Sequence, residues 1–214
     1  MAVPLDAIRA IHNAFRKDLA AMDAAANNAA RGPGSLVLIL KRYTLFSEIL
    51  DWHARGEEEY VFPAVEKVAP LVAEAYLLDH RGLDALSESL NKAIKASDTL
   101  RIARSTSAFN FFLDHHLDSE EIHLYRIFGE RVSLPDQGVI VGKMSQRIPQ
   151  ERFPEVVTWL YPLLGPDDRE NMARIMLQAL PAPVFEGVAR LIHSAIGDDW
   201  ADLTRRIPDL PKRI

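Results

Sequence analysis

Two stretches of the chain repeat one arrangement of histidine and glutamate side chains. Each has a histidine, three intervening residues, two consecutive glutamates and, after two further residues, an aliphatic and an aromatic residue; the copies begin at His53 and His116. If the first copy is helical, the four-residue spacing places His53 and Glu57 on one face, about one turn apart. The second copy pairs His116 with Glu120 in the same way. A neutral imidazole and a carboxylate are suitable ligands for a redox metal such as non-haem iron, so the repeat predicts a metal site.

Apolar residues recur at helical spacing in four segments that short breaks separate, which predicts four long amphipathic helices. Gly and Pro stop the first helix, and Ser35 is a candidate N-cap for the second. Pro70 suits the first turn of the third helix. Short connections favour an up-down-up-down four-helix bundle, an all-α fold. The first, second and fourth predicted helices cover about residues 6–30, 35–67 and 100–131, and the third begins near Pro70.

Two further histidines, His12 and His80, lie on the apolar faces of the first and third predicted helices. Counted from the turns, the histidines of all four helices fall within one or two residues of the same level, about 3 Å along the helix axes. Four imidazoles and two carboxylates in a bundle interior carry a heavy desolvation cost unless they are paired or coordinated. We therefore predict a metal centre, with a hydrogen-bonded polar core as the alternative.

Composition excludes several classes of function. A net charge of -5 with dispersed basic residues predicts no nucleic-acid partner. The absence of cysteine excludes disulfides, thiolate zinc sites and iron–sulfur clusters, so a metal must be held by histidines and carboxylates. The sequence has no secretory leader and no long apolar run, which predicts a soluble, unprocessed, cytoplasmic protein with no membrane partner.

The last third of the chain has a different sequence pattern, because prolines divide it into short helical segments. We predict a bundle domain over residues 1–134 and a helical C-terminal extension over residues 135–214. The extension offers no cluster of ligand-type residues, so we expect it to pack on the bundle or to form the interface of a homo-oligomer. Its predicted helices cover about residues 137–147, 153–164, 167–180, 184–196 and 200–207.

The order and spacing of these histidines and glutamates closely resemble the hemerythrin-like (HHE cation-binding) family over about residues 6–131. The resemblance implies a four-helix bundle that encloses two non-haem iron ions bridged by an oxo or hydroxo group. The tail is also similar to the C-terminal extension of some members, including iron-sensing plant proteins. The implied terminal ligands are His12, His53, His80 and His116, and the implied bridging carboxylates are Glu57 and Glu120.

The chain departs from the oxygen-carrying hemerythrins at two points. Those proteins have a fifth histidine one turn after the third-helix ligand, where this chain has Asp84. They also place the fourth-helix carboxylate five residues after its histidine, which would select Glu121 instead of Glu120. Glu58 is an alternative to Glu57 for the same reason of helix rotation. Asp84 could supply a ligand, or the site could hold a water or one weakly bound metal, so the coordination number stays open.

The resemblance leads to one main hypothesis: the protein binds two irons and, through them, dioxygen or a related small ligand, for sensing, storage or detoxification. One alternative is an enzyme that turns over peroxide or nitric oxide at the same centre. Another is a switch in which iron occupancy controls folding or partner binding. A ferritin-like centre is disfavoured because it needs two Glu-x-x-His pairs, and only Glu120 and His123 form one.

Overall fold

The computed structural model describes residues 2–210, and within that range it contains helices and turns but no β-strand. The all-α prediction is confirmed. Residue 1 and residues 211–214, which end the two predicted domains, lie outside the described residues. Within residues 2–210 no helix combines the length and the apolar character needed to cross a membrane. The α-helices are α1 Pro4–Arg31, α2 Val37–Gly56, α3 Phe62–Val68, α4 Val72–Lys95, α5 Thr99–Ser119, α6 Tyr125–Arg131, α7 Leu134–Ser145, α8 Phe153–Leu160, α9 Pro166–Ala179, α10 Ala182–Ile196 and α11 Trp200–Arg206.

The chain forms two compact units. The first compact unit consists of the described residues of Met1–Ala14 and Leu134–Ile214, and the second compact unit is Phe15–Ser133. The boundary between the first stretch and the second unit falls inside α1, which is a continuous helix. The predicted domain division at residue 134 stays a prediction.

Neighbouring helices of the second compact unit run antiparallel. Along α4 and α5, Tyr76 contacts Ser119 while Ser89 contacts Ser105, so the residue numbers change in opposite directions. Early α2 likewise meets late α4, because the Tyr43 hydroxyl donates to the Ser87 carbonyl oxygen. These directions are the ones that the predicted up-down-up-down order requires.

Two π turns interrupt the long helices that carry the repeated motif. The first π turn, Glu57–Val61, joins α2 to α3, and the second π turn, Glu120–Leu124, joins α5 to α6. Each turn begins at the first glutamate of its copy. In each, the carbonyl oxygen of that glutamate accepts a hydrogen bond from the amide of an aromatic residue five positions later, Phe62 or Tyr125. Such turns occur frequently at functional sites.

The π turns change which residues face the interior. An uninterrupted helix predicts Ala64 and Ile127 on the buried faces, but Val65 and Phe128 are the buried residues instead. The shift is one residue in both copies, because a π turn adds one residue to the helix and so rotates the next turns by about 100°. The predicted buried face is therefore wrong after each π turn.

The helix ends around α4 agree only in part with the sequence prediction. Asp98 caps α5, since its carboxylate accepts from the Arg101 amide at 3.0 Å. Pro70, however, lies before α4 and not in its first turn. There the Glu66 carboxylate accepts from the amides of Leu71 and Ala73, both at 2.8 Å. A side chain from the preceding helix thus satisfies the start of α4.

The C-terminal part of the first compact unit contains α7 to α11, close to the helices that the prolines predict. The amphipathic helix α10 packs against α8, α9 and α11. Arg206 links α9 to α11 through ion pairs with Asp167 and Glu170, at 2.8 Å and 3.2 Å. Buried aromatic residues supply the core of this part: Trp159, Tyr161, Phe185 and Trp200.

The loop between α1 and α2 gives the first testable prediction. A Cβ atom at Gly34 would overlap the backbone of Asn28 and Ala29, with Ala29 Cα only 2.7 Å away, whereas a Cβ at Gly32 would meet no atom of the described residues within 4 Å. We expect Gly34→Ala to lower the free energy of unfolding by about 1–3 kcal/mol. The matched control Gly32→Ala should stay within about 0.5 kcal/mol of the wild type. Urea unfolding measures both, and equal effects would contradict this close packing.

Candidate metal centre

The first pair of predicted ligands lies at the junction of α2 and the first π turn. His53 Nε2 is 3.2 Å from Glu57 Oε1, and both side chains are almost completely buried. The Phe15 ring packs edge-on against the His53 ring, with centroids 5.5 Å apart. We call His53, without Glu57, the His53 group, because Glu57 also faces the second set of ligands.

The second set of predicted ligands, the His80 group, consists of His80, His116 and Glu120. One ligand atom from each lies within 4.8 Å of the others, and all three residues are buried. Glu120 Oε1 is 3.4 Å from His116 Nε2 and 3.8 Å from His80 Nε2. The two imidazole rings are in edge contact, with centroids 4.9 Å apart. Helix α4 and the α5 helix with its π turn thus bring these three side chains together.

Glu57 faces both groups. Its Oε1 atom lies beside His53, while its Oε2 atom is 3.5 Å from His80 Nε2. A carboxylate in this position has one oxygen available to each side. The geometry agrees with the bridging role that the family resemblance implies for Glu57, although its role as a ligand stays a prediction.

The neighbouring acidic residues lie outside the centre. Glu58 Oε1 is 3.0 Å from His80 Nδ1, on the opposite side of the ring from Glu57. Glu121 accepts a 2.8 Å hydrogen bond from Arg16 Nη1. Glu57 and Glu120 are therefore the carboxylates that the π turns direct inward, which distinguishes them from their sequence neighbours.

Asp84 lies at the edge of the site and not within it. Its side chain is 69% exposed and pairs with Arg81 at 3.7 Å. The buried face of α4 passes through Tyr76, His80 and Leu83 instead. Asp84 therefore lies at the exposed border of the centre, and its role as a ligand stays a prediction.

His12 is fully buried on α1. It belongs to the part of α1 that lies in the first compact unit, three residues before Phe15, which contacts His53. Its predicted role as a ligand stays a prediction. The remaining histidines lie elsewhere: His115 and His123 are exposed, and the His193 ring contacts the Trp200 ring with centroids 5.3 Å apart.

Burial and mutual charge shift the pKa values of these residues in opposite directions. Burial raises the pKa of Glu120 to about 8, and the charge of Glu57 adds to this. Burial disfavours the charged form of His80 and would lower its pKa. The interactions of His80 with Glu120 and Glu57 outweigh this effect and raise the pKa of His80 to about 11. Burial lowers the pKa of His116 to about 4. Burial would raise the pKa of Glu57, yet His53 and His80 hold it well below its usual range. At neutral pH, the metal-free site therefore holds protons on His80 and Glu120.

The donor set fits a metal ion. His80 Nε2 is buried and makes no hydrogen bond to any described residue, and its nearest carboxylate oxygens, at 3.5 Å and 3.8 Å, are beyond normal hydrogen-bond length. A nitrogen directed at two carboxylates must carry either a proton or a cation. Imidazole and carboxylate donors suit iron, zinc and related divalent metals.

A cavity of ≈120 Å³ adjoins the centre and is lined by residues of α2, α4 and α5, together with Glu57 of the first π turn. His53, Glu57, His80 and His116 form part of its wall. Exposed Asp84 also lines it, so the cavity reaches the protein surface. A small molecule can reach the ligand atoms by this route.

Two residues beside the ligands, Asp79 and Tyr125, were missed in the sequence, and Glu58 was considered only as an alternative ligand. Glu58 contacts His80 Nδ1, Asp79 lies 3.5 Å from His116 Nδ1, and the Tyr125 hydroxyl donates a hydrogen bond to Glu57 Oε1. Carboxylates on the outer nitrogen fix the orientation of a ligating imidazole. The repeat contained a signal for Tyr125, since an aromatic residue occupies the same position in both copies. No spacing rule identifies Asp79, because it is the residue before His80 and contacts a different helix.

Removing the outer partner of His80 tests this arrangement. We expect Glu58→Ala to weaken metal binding by about 10- to 100-fold, because His80 loses the carboxylate that orients its ring. Glu121→Ala is the matched control, since Glu121 occupies the same position in the second copy but contacts Arg16. Titration calorimetry with a divalent metal measures both variants. A larger loss for Glu121→Ala would mean that Glu121 is the ligand.

The pKa shifts predict the effect of pH on metal binding. His80 and Glu120 hold protons at pH 7 in the metal-free protein, because their pKa values are about 11 and about 8. Both must lose them to coordinate a metal, so binding at pH 7 should release about two protons per chain. Affinity should therefore rise as the pH increases from 6 to 8. Calorimetry in buffers of different ionisation enthalpy counts these protons, and a pH-independent affinity would contradict the assignment.

Comparison with known proteins agrees with this geometry. The family model described as Hemerythrin HHE cation binding domain matches residues 3–128, more than half of the chain. The zinc finger protein BRUTUS of Arabidopsis thaliana is 27% identical over 177 residues, which are 79% of this chain and 14% of that protein. A BRUTUS-like zinc finger protein of the same plant is 24% identical over 201 residues, 85% of this chain and 16% of the relative.

The chain thus spans less than a fifth of the length of these relatives, and it has no cysteine for a thiolate zinc finger. No solved structure is significantly similar to it. The family match covers both copies of the repeated motif and every predicted ligand. The chain belongs to the hemerythrin HHE cation-binding domain family.

Proposed function

We propose that this protein binds two iron ions in the buried centre and, through them, dioxygen or a related small ligand. The observation that carries this proposal is the position of Glu57, whose two oxygens face the two groups separately. A carboxylate between two sets of imidazoles is suited to bridge two cations, whereas a single ion would be bound by only one of the two sets.

The two proposed ions have different ligands. His53 and Glu57 would hold the first ion. His80, His116 and Glu120 surround the second. His12, a further ligand that the family resemblance implies, is fully buried on α1.

The surroundings favour reversible binding of a small ligand. Iron held by these histidines and glutamates would, in its reduced form, supply the electrons for binding dioxygen. Phe15, Phe46, Phe109 and Leu113 are fully buried, and the first three rings pack edge to face, so this side of the centre is dry. Exclusion of water slows the proton-assisted loss of reduced oxygen.

The cavity limits the class of ligand. Its volume of ≈120 Å³ accommodates a molecule of a few atoms but not a bulky organic substrate. Dioxygen, nitric oxide and peroxide all meet this limit. Reversible binding serves sensing, storage or detoxification, and steady consumption of peroxide or nitric oxide would instead indicate an enzyme.

A second candidate function is an iron-dependent switch. It is favoured because the proposed ligands come from several helices. Helices α2, α4 and α5 with their π turns all contribute, so loss of the metal leaves buried ionisable groups that link three helices. We expect faster amide hydrogen exchange in these helices after iron removal. Equal protection in the iron-loaded and iron-free proteins would exclude the switch but not ligand binding.

The experiment that tests the main proposal measures iron per chain and the visible spectrum after anaerobic reduction and after exposure to air. We expect about two irons and an absorption that disappears on reduction and returns with oxygen. Irreversible bleaching would contradict reversible binding, and one iron or none would contradict the centre.

Adjacent histidines provide a matched pair of variants for that experiment. His116→Ala should lose at least one iron per chain, because it removes a buried nitrogen of the His80 group. His115→Ala should keep the wild-type iron content and spectrum, because His115 is exposed. Iron loss in both variants would show that either substitution disturbs the helix, and it would contradict a specific role of His116 as a ligand.

A further inference from the structure

The two copies of the motif differ at one position that closes each π turn. Five residues after the inward glutamate, the first copy has Phe62 and the second has Tyr125, and both side chains are buried. The Phe62 ring packs against the His80 ring, with centroids 5.2 Å apart. The Tyr125 hydroxyl instead donates a hydrogen bond to Glu57 Oε1. Equivalent positions in the repeat thus contact different ligands.

The hydrogen bond from Tyr125 reaches only one side of Glu57. Oε1, which accepts it, is also the oxygen beside His53 Nε2. Oε2 faces His80 at 3.5 Å. A glutamate side chain has three rotatable bonds, so a donor fixed on Oε1 holds that oxygen in place beside His53. Phe62 has no hydroxyl and cannot perform this task in the other copy.

We infer that Tyr125 is a positioning residue that holds the Oε1 atom of Glu57 beside His53 and makes the two metal positions unequal, because only the ion beside His53 depends on this hydrogen bond. This inference rests on the proposed two-ion centre. A group that orients a metal-binding carboxylate is typically worth about 10- to 100-fold in metal affinity. Tyr125 thereby shapes the centre although it coordinates no metal itself.

Tyr125→Phe isolates this role. The substitution removes one oxygen atom and restores the residue type that the first copy carries at the equivalent position, so the π turn and the ring packing are preserved. Tyr76→Phe is the matched control. The Tyr76 hydroxyl donates to the Ser119 carbonyl oxygen at 3.1 Å, and the Tyr76 ring lies near His116, but within residues 2–210 its hydroxyl contacts no ligand side chain.

The test is titration calorimetry of the metal-free full chain with Zn²⁺, which has no redox chemistry. We expect two binding steps in the wild type. Tyr125→Phe should weaken one step by about 10-fold or more and change the other by less than about threefold. Tyr76→Phe should leave both steps within about threefold of the wild type.

Adding Tyr125→Phe to two other variants, His116→Ala and His53→Ala, identifies which ion depends on the tyrosine hydroxyl. In His116→Ala, the remaining strong site is the one beside His53, and adding Tyr125→Phe should weaken it by about 10-fold or more. In His53→Ala, the remaining site is the His80 group, and adding Tyr125→Phe should change it by less than about threefold. This pair of comparisons measures the coupling of Tyr125 to each side directly.

Unchanged affinities in Tyr125→Phe would overturn the inference. Equal weakening of both steps, or a variant that fails to fold by circular dichroism, would show that Tyr125 acts through packing and would also overturn it. Failure of the proposed function has a different signature, because the wild type itself would then bind fewer than two ions.

Discussion

The burial of ionisable groups in the interior of the second compact unit is the constraint on which the rest of the structure depends. Glu57, His80, His116 and Glu120 lie in contact with one another and are almost inaccessible to water. Removing such charges from water costs several kcal/mol for each ion unless partners compensate. Without a metal, the groups share protons, with His80 charged and Glu120 neutral at pH 7. A cation replaces those protons, so metal binding and the protonation of the core are one equilibrium.

The helices place these groups through regular geometry with one local exception. The four-residue spacing brings each histidine and glutamate of a copy to the same face, and antiparallel packing of α4 on α5 brings His80 to His116. The π turns then redirect the chain after each glutamate. Because of this rotation, Tyr125 contacts Glu57 and Phe62 contacts His80. A straight α-helix would have presented different residues at those points.

The sequence predicted much of this arrangement because the strongest signals are periodic. Amphipathic spacing identified the four long helices of the bundle, and histidines within apolar stripes identified the buried residues His12, His53, His80 and His116. The repeat also identified Glu57 and Glu120, although helix rotation left Glu58 and Glu121 as alternatives. In the structure Glu57 and Glu120 are buried, whereas Glu58 contacts the outer nitrogen of His80 and Glu121 binds Arg16.

The errors arose where local structure departs from the regular helix or where contacts join distant segments. The buried face was wrong by one residue after each π turn, because the pattern assumed an uninterrupted helix. Asp84, whose role as a ligand the sequence left open, has an exposed side chain, and the buried face of α4 passes through His80 and Leu83. Asp79 was missed because its contact with His116 depends on how two helices pack.

The most direct test of the central claim is a crystal structure of the iron-loaded protein with anomalous scattering measured at the iron absorption edge. We expect two anomalous peaks in the buried centre, one beside His53 and one within the His80 group, with the Glu57 carboxylate between them. A single peak, or peaks only at surface residues such as Asp84 or His115, would contradict a two-ion centre bridged by Glu57.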